Sequence, residues 1–141
     1  MAGTKSNKIW EPIDFTVYFS FIKWPVLAIL VLEIAFRIWS GKFSAGLLFE
    51  QREIIIWLMR IAIFAFLGWR VIKNFGSSIA ISAIAGSLAG FVVGLMIALY
   101  RFGDGFQVWK IFNLITETTL VIVVGALIAV LMVFILGFKN N

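Results

Sequence analysis

Long apolar stretches alternate with short polar segments along the whole chain. A helix that crosses a bilayer needs about 20 mainly apolar residues, and four stretches meet or approach this length, the first of them lying between Trp24 and Trp39. The pattern predicts an all-α fold, namely a polytopic membrane helix bundle formed by a single domain of residues 1–141. The four predicted transmembrane helices cover about 24–40, 53–73, 78–101 and 111–138.

The start of the first helix is interrupted by Lys23, Trp24 and Pro25. Proline fits the first turn of a helix better than its middle, because it lacks an N–H and clashes with the preceding turn. We therefore expect Pro25 to open the first membrane helix and residues 13–23 to form a short N-terminal interfacial segment. The alternative is one kinked helix from Phe15 to Trp39.

The third predicted helix carries a small residue at every fourth position. Residues four apart lie along one inclined row of a helix. This row, which we call the small-residue ridge, comprises Ser78, Ser82, Gly86, Gly90, Gly94 and Ala98. Lipid tails are as apolar as leucine, so helices in a bilayer associate through close backbone packing, which small residues permit.

The glycines of the ridge are expected to meet one partner helix. A row with period four drifts around the helix, so a straight partner follows only about three of its members. The fourth helix offers Gly125 and Ala129, and the short connection before it favours an antiparallel hairpin. A second copy of the chain is an alternative partner, and a ridge that lines a pore is a further alternative.

Four ionisable residues fall inside the predicted helices: Glu33, Arg37, Arg60 and Glu117. Each charge costs at least about 2.5 kcal/mol at the bilayer centre, so each needs a partner or water. At 1.5 Å of rise per residue, Glu33, Arg60 and Glu117 each lie roughly 9 Å inside the end of the bundle that is opposite the termini. We expect one polar layer, with Arg37 paired to Glu33 one turn away and Arg60 paired to Glu117 or Glu33.

Further polar groups lie near Glu117 on the fourth helix, namely Asn113, Thr116 and Thr118, and are expected to support the layer with hydrogen bonds. Three roles are open for the charged layer. It can lock the helices in register, it can contain a carboxylate, Glu33 or Glu117, that binds a proton or cation in a water-filled cavity, or it can contact a partner subunit.

Composition supports the membrane assignment and limits the chemistry. Hydrophobic residues make up 62% of the chain and charged residues 13%, which is too little charge for a water-facing surface. Cysteine and histidine are absent, so disulfides, zinc sites of the usual kind and imidazole-activated nucleophiles are excluded. We expect no catalytic residue, no metal and no cofactor.

The basic residues are scattered beside the apolar stretches, although the formal net charge is +5. This pattern is typical of interfacial anchoring and not of nucleic-acid binding. Six basic residues fall on the side of the termini, namely Lys5, Lys8, Lys23, Arg70, Lys73 and Lys139, against five on the other side. Because cytoplasmic segments carry more Lys and Arg, we expect the termini in the cytoplasm.

The function expected from these features is non-enzymatic. The chain is predicted to be a small, multi-pass integral membrane protein that acts through helix association, as an accessory, assembly or anchoring subunit of a membrane complex or as a homo-oligomer. Its expected partners are the lipid bilayer and another membrane protein or itself. The alternative is a small oligomeric transporter or channel, coupled to protons or cations through an intramembrane carboxylate.

Overall fold

The computed structural model describes residues 14–43, 49–102 and 108–137. These residues form four helices, and no strand occurs among them. The helices are α1 (Phe15–Phe43), α2 (Phe49–Phe75), α3 (Ile79–Phe102) and α4 (Val108–Gly137). Each is long and apolar enough to cross a membrane, by length and composition. The predicted all-α bundle is confirmed, and the chain is a multi-pass membrane protein; positions 13 and 138 of the predicted segments lie outside the described residues.

The predicted break before Pro25 does not occur, because α1 continues through this proline. Pro25 has no N–H to donate to the carbonyl of Phe21, four residues earlier. Arg70 on α2 donates to that carbonyl instead, over 3.5 Å. Tyr18 and Ile22 are buried in the core, so packing against the bundle holds the first turns in the helix. The prediction of a separate interfacial segment is therefore wrong, because its residues from Phe15 onwards form the first turns of α1.

A tight turn joins α2 to α3. Gly76 has a φ of 76°, and its N–H donates to the Ile72 carbonyl over 3.0 Å, as is common where a helix ends on glycine. The Ser78 hydroxyl accepts a hydrogen bond from the Ile81 N–H over 3.4 Å and caps α3. Ser78 therefore precedes the helix, and the small-residue ridge begins at Ser82.

Two central helices, α2 and α3, touch each other and are flanked by the other two. α1 packs against both of them on one side and α4 packs against both on the other, while within the described ranges no Cα atom of α1 lies within 8 Å of one of α4. The core between the helices is apolar and includes Ile29, Phe64, Leu67, Val93 and Val121. Large apolar side chains cover the outward faces, as expected for surfaces that face lipid.

The contact between α3 and α4 brings the two backbones together. A Cβ added at Gly86 would collide with the Gly125 carbonyl group. One added at Gly90 would lie 2.5 Å from the Val121 carbonyl oxygen, and one added at Gly94 would lie 2.7 Å from Cα of Thr118. As the contacts move along α3 from Gly86 to Gly94, they move back along α4 from Gly125 to Thr118. The two helices therefore form an antiparallel hairpin.

The other small residues divide between two contacts. Ser82 and Ala98 are buried on the same helix as the glycines, and Gly125 faces Gly86 as the sequence indicates. Ala129, in contrast, packs against α2, where a Cβ added at Gly68 would lie 2.9 Å from the Ala129 carbonyl oxygen. Small residues thus let α4 approach both central helices within one chain.

Gly90→Ala is expected to destabilise the protein by about 1–3 kcal/mol, because the new methyl group would push apart two backbones already in contact. Gly90→Leu should cost more. Thermal unfolding in mild detergent, followed by helicity and tryptophan fluorescence, measures the loss.

Gly41→Ala is the matched control for this substitution. Gly41 also lies in a helix, but no atom of another part of the described chain lies within 4 Å of the Cβ it would gain, so the stability of this variant should be unchanged or slightly raised. Equal effects of the two alanine substitutions would contradict close packing of α3 on α4.

Candidate functional site

Glu33 on α1 and Arg60 on α2 form a buried ion pair. Each residue is 1% exposed. Arg60 donates through Nε to Oε2 of Glu33 over 2.8 Å and through Nη2 to Oε1 over 2.7 Å. Two such bonds between a guanidinium and a carboxylate fix the orientation of both groups and are stronger than neutral hydrogen bonds. The ring of Trp57 lies 4.9 Å from Cζ of Arg60, so an aromatic face flanks the guanidinium.

Each member of this pair has a second partner of opposite charge. Arg37, one turn after Glu33, donates through Nη2 to Oε1 of Glu33 over 2.8 Å. Arg60 also donates through Nη2 to Oε1 of Glu117 on α4 over 3.2 Å. Glu117 in turn accepts from Nη1 of Arg101, near the end of α3, over 2.7 Å. The chain of ion pairs therefore reaches all four helices.

Glu53 on α2 closes this chain into a ring. Its Oε1 lies 3.3 Å from Nη1 of Arg37 and 3.4 Å from Nη2 of Arg101. Three carboxylates and three guanidiniums alternate, each next to two groups of opposite charge, so the formal charges cancel. In order, the members of this charge ring are Arg37, Glu53, Arg101, Glu117, Arg60 and Glu33.

The charge ring extends from the bundle interior towards the end opposite the termini. The side chains of Arg60 and Glu33 are 1% and 2% exposed, whereas those of Glu53 and Arg101 are 24% and 37% exposed. Burial of a charge is costly unless it is paired and hydrogen-bonded. The alternation around the ring supplies that pairing for every member, so six ionised groups are accommodated between apolar helices.

The structure brings together all four charged residues that the sequence places in one layer. Arg37 contacts Glu33, and Arg60 contacts both Glu33 and Glu117. The sequence interpretation missed Glu53 and Arg101, which complete the ring.

The sequence contains a spacing that indicates inward positions for Glu53 and Arg101. Glu53 precedes Arg60 by seven residues, and Arg101 follows Gly94 by seven, so each lies two turns away on an inward helix face. Both residues lie near helix ends, where long side chains normally reach outward to the interface. Here they reach inward to partners.

Asn113, Thr116 and Thr118, the polar residues expected to support the charged layer, lie on two different faces of α4. Asn113 and Thr116 line a cavity of about 290 Å³ together with members of the charge ring, including Glu53, Arg101 and Glu117. Thr118 lies elsewhere, because its methyl group faces Gly94 of α3 and its buried hydroxyl has no hydrogen-bond partner within the described part of the chain. Thr118 therefore contributes to helix packing and not to the charged layer.

A second cavity, of about 260 Å³, lies beside the same end of the α3–α4 hairpin. Lys110 and Asn113 of α4 line it together with Arg101 and Glu117. Both cavities thus adjoin the more exposed half of the charge ring, whereas Glu33 and Arg60 line neither. The inner pair is enclosed by protein, and the outer members are open to small molecules or water from the end of the bundle.

Glu33→Gln is expected to lower the free energy of unfolding by about 3–5 kcal/mol, because it removes the charge that compensates buried Arg60. Glu50→Gln is the control. Glu50 is an exposed carboxylate in the first turn of α2, and its loss should change stability by less than about 0.5 kcal/mol. Chemical unfolding in mixed micelles compares the two variants.

The double variant Glu33→Gln/Arg60→Gln should be more stable than the sum of the two single variants predicts, with a coupling of about 1–3 kcal/mol. The reason is that the remaining members, Arg37, Glu53, Arg101 and Glu117, still form a neutral chain of pairs. Strictly additive effects in the same unfolding assay would show that Glu33 and Arg60 are not partners.

Comparison with known proteins finds no relative of this chain: no family model matches it, and neither a curated protein nor a solved structure is similar to it.

Proposed function

We propose that the protein is a non-enzymatic membrane protein that acts through helix association, as an accessory, assembly or anchoring subunit of a membrane complex or as a homo-oligomer. The observation that carries this proposal is the closed charge ring, in which each carboxylate lies between two guanidiniums. Charged groups paired in this way fix the register of the helices, so that the bundle presents its outer faces in one geometry.

The inner carboxylate illustrates why a structural role is favoured. Glu33 accepts hydrogen bonds from both Arg37 and Arg60. Binding a proton or a cation there would require breaking ion pairs with two arginines, and would leave buried Arg60 poorly compensated. Towards the other end of the bundle the core continues with apolar side chains such as Phe64 and Val71, which favour tight helix packing over passage of ions.

The outward apolar faces of the bundle are the surfaces available for association, and those of α1 and α4 are two of them. The two helices lie on opposite sides of α2 and α3, and both expose large apolar side chains, including Val31 on α1 and Leu127 on α4. The small-residue ridge is occupied by the internal α3–α4 contact, so a partner helix would pack against an outward face of the bundle through larger side chains.

The proposal also places both termini in the cytoplasm, on the balance of six basic residues against five. The five basic residues counted on the opposite side are Arg37, Lys42, Arg52, Arg101 and Lys110. Two of them, Arg37 and Arg101, are paired with carboxylates in the charge ring, which leaves fewer unpaired positive charges on that side and supports cytoplasmic termini. Lys5, Lys8 and Lys139 lie outside the described residues.

The proposal predicts that the protein is extracted from its native membrane as part of a discrete assembly. Extraction into polymer-bounded lipid discs, followed by native mass measurement, should give one defined stoichiometry, with a second copy or a second membrane protein. Repeating the measurement after dilution separates a specific assembly from crowding in the disc. A population consisting of single chains at every dilution would contradict association as the function.

A transporter or channel is the second candidate, and the cavity beside Glu117 favours it. That cavity of about 290 Å³ places two carboxylates, Glu53 and Glu117, next to open space. Our proposal predicts that proteoliposomes containing the protein show no proton or cation flux above empty vesicles, measured with an entrapped pH dye and a membrane potential. Flux that is abolished by Glu117→Gln and retained in Glu50→Gln would support transport and contradict our proposal.

A further inference from the structure

Arg70 differs from the arginines of the charge ring, because it has no carboxylate partner among the described residues. It lies on α2, five residues before the helix ends at Phe75, which is about 8 Å along the axis. Its Cζ lies 4.6 Å from the centre of the Phe21 ring, and its Nη1 donates to the Phe21 carbonyl over 3.5 Å. These contacts hold the guanidinium in place and leave its Nε and Nη2 atoms unpaired within the described ranges.

A cavity of about 300 Å³ adjoins this guanidinium. It lies between α1 and α2, at the end of the bundle that carries the termini. Two hydroxyl groups one helical turn apart, those of Thr16 and Ser20, line it together with Val17, Phe21 and Arg70. The side chains around the cavity therefore offer one positive charge and several hydrogen-bond donors, and none of them is a carboxylate.

These donors suit a tetrahedral oxyanion. A guanidinium presents two parallel N–H groups to phosphate oxygens, and hydroxyl groups donate to the remaining ones. An arginine that rests on an aromatic ring is also pre-organised for such a contact.

The depth of the site matches the headgroup layer of a bilayer. At the same end, Lys23 and Lys73 lie against the rings of Trp24 and Trp69. Tryptophan and lysine side chains favour this layer, and the abundant anion there is the phosphate of a phospholipid.

We propose that the cavity between α1 and α2 binds the phosphate group of a phospholipid headgroup, held by Arg70 with the hydroxyls of Thr16 and Ser20. From the phosphate the acyl chains would run towards the bilayer centre along the exposed apolar surface of α1, which includes Leu27 and Val31. The site is at the opposite end from the charge ring and shares no residue with it, so it does not depend on the proposed association function.

The test measures lipid binding to the full chain by native mass spectrometry in a lipid-free detergent, with phosphatidylglycerol as the probe. Diacylglycerol with the same acyl chains is the phosphate-free control lipid. Arg70→Gln is expected to weaken phosphatidylglycerol binding by about tenfold, because a charge-assisted contact is lost. Lys73→Gln removes a nearby positive charge that does not line the cavity, and should weaken binding by less than about twofold.

The double variant Thr16→Val/Ser20→Ala tests the site without changing Arg70. It should weaken phosphatidylglycerol binding while keeping the unfolding temperature of the wild type, since both residues are exposed. Three results would overturn the proposal. The first is that wild-type protein binds diacylglycerol as tightly as phosphatidylglycerol, and the second is that Lys73→Gln and Arg70→Gln weaken phosphatidylglycerol binding equally. The third is that the double variant binds phosphatidylglycerol as tightly as the wild type. Full displacement of the lipid by inorganic phosphate at the same concentration would assign the site to a soluble anion and overturn the lipid assignment.

Discussion

The structure depends on one constraint, which is that a charge buried among apolar helices needs an opposite charge from a neighbouring helix. In this protein the constraint is satisfied by a closed ring and not by separate pairs. Each member of the ring contacts two others of opposite sign, and the ring includes residues of every helix. Loss of one member weakens two contacts, so the ring couples the positions of all four helices.

Close backbone packing makes the ring geometrically possible. Gly94 lies against Thr118, the residue after Glu117, and Arg101 follows Gly94 by two turns on α3. The glycine therefore sets the separation at which Arg101 reaches Glu117. The two ends of the bundle then differ in chemistry: the end with the charge ring satisfies its own charges, whereas Arg70 at the end with the termini has none of the described carboxylates beside it.

Sequence predicted most of the fold because bilayer thickness fixes helix length and helical rise fixes depth. Those two quantities place Glu33, Arg60 and Glu117 at one level, where the structure has them in contact. Helix length and helical rise do not determine in which direction a long side chain near a helix end extends, so they do not identify Glu53 and Arg101 as members of the charge ring. Continuation of α1 through Pro25 likewise depends on a contact from another helix, the hydrogen bond from Arg70 to the Phe21 carbonyl. Local helix propensity does not predict such a contact.

The central claim is tested most directly by magic-angle-spinning NMR of the protein in lipid bilayers, with nitrogen-labelled arginine and carbon-labelled glutamate. Because Nη2 of Arg60 lies 2.7 Å from Oε1 of Glu33, and Arg37 and Arg101 are also paired, three arginines should show strong guanidinium–carboxylate dipolar coupling. Coupling of Arg60 to water or lipid phosphate, without coupling to a glutamate carboxylate, would contradict the charge ring.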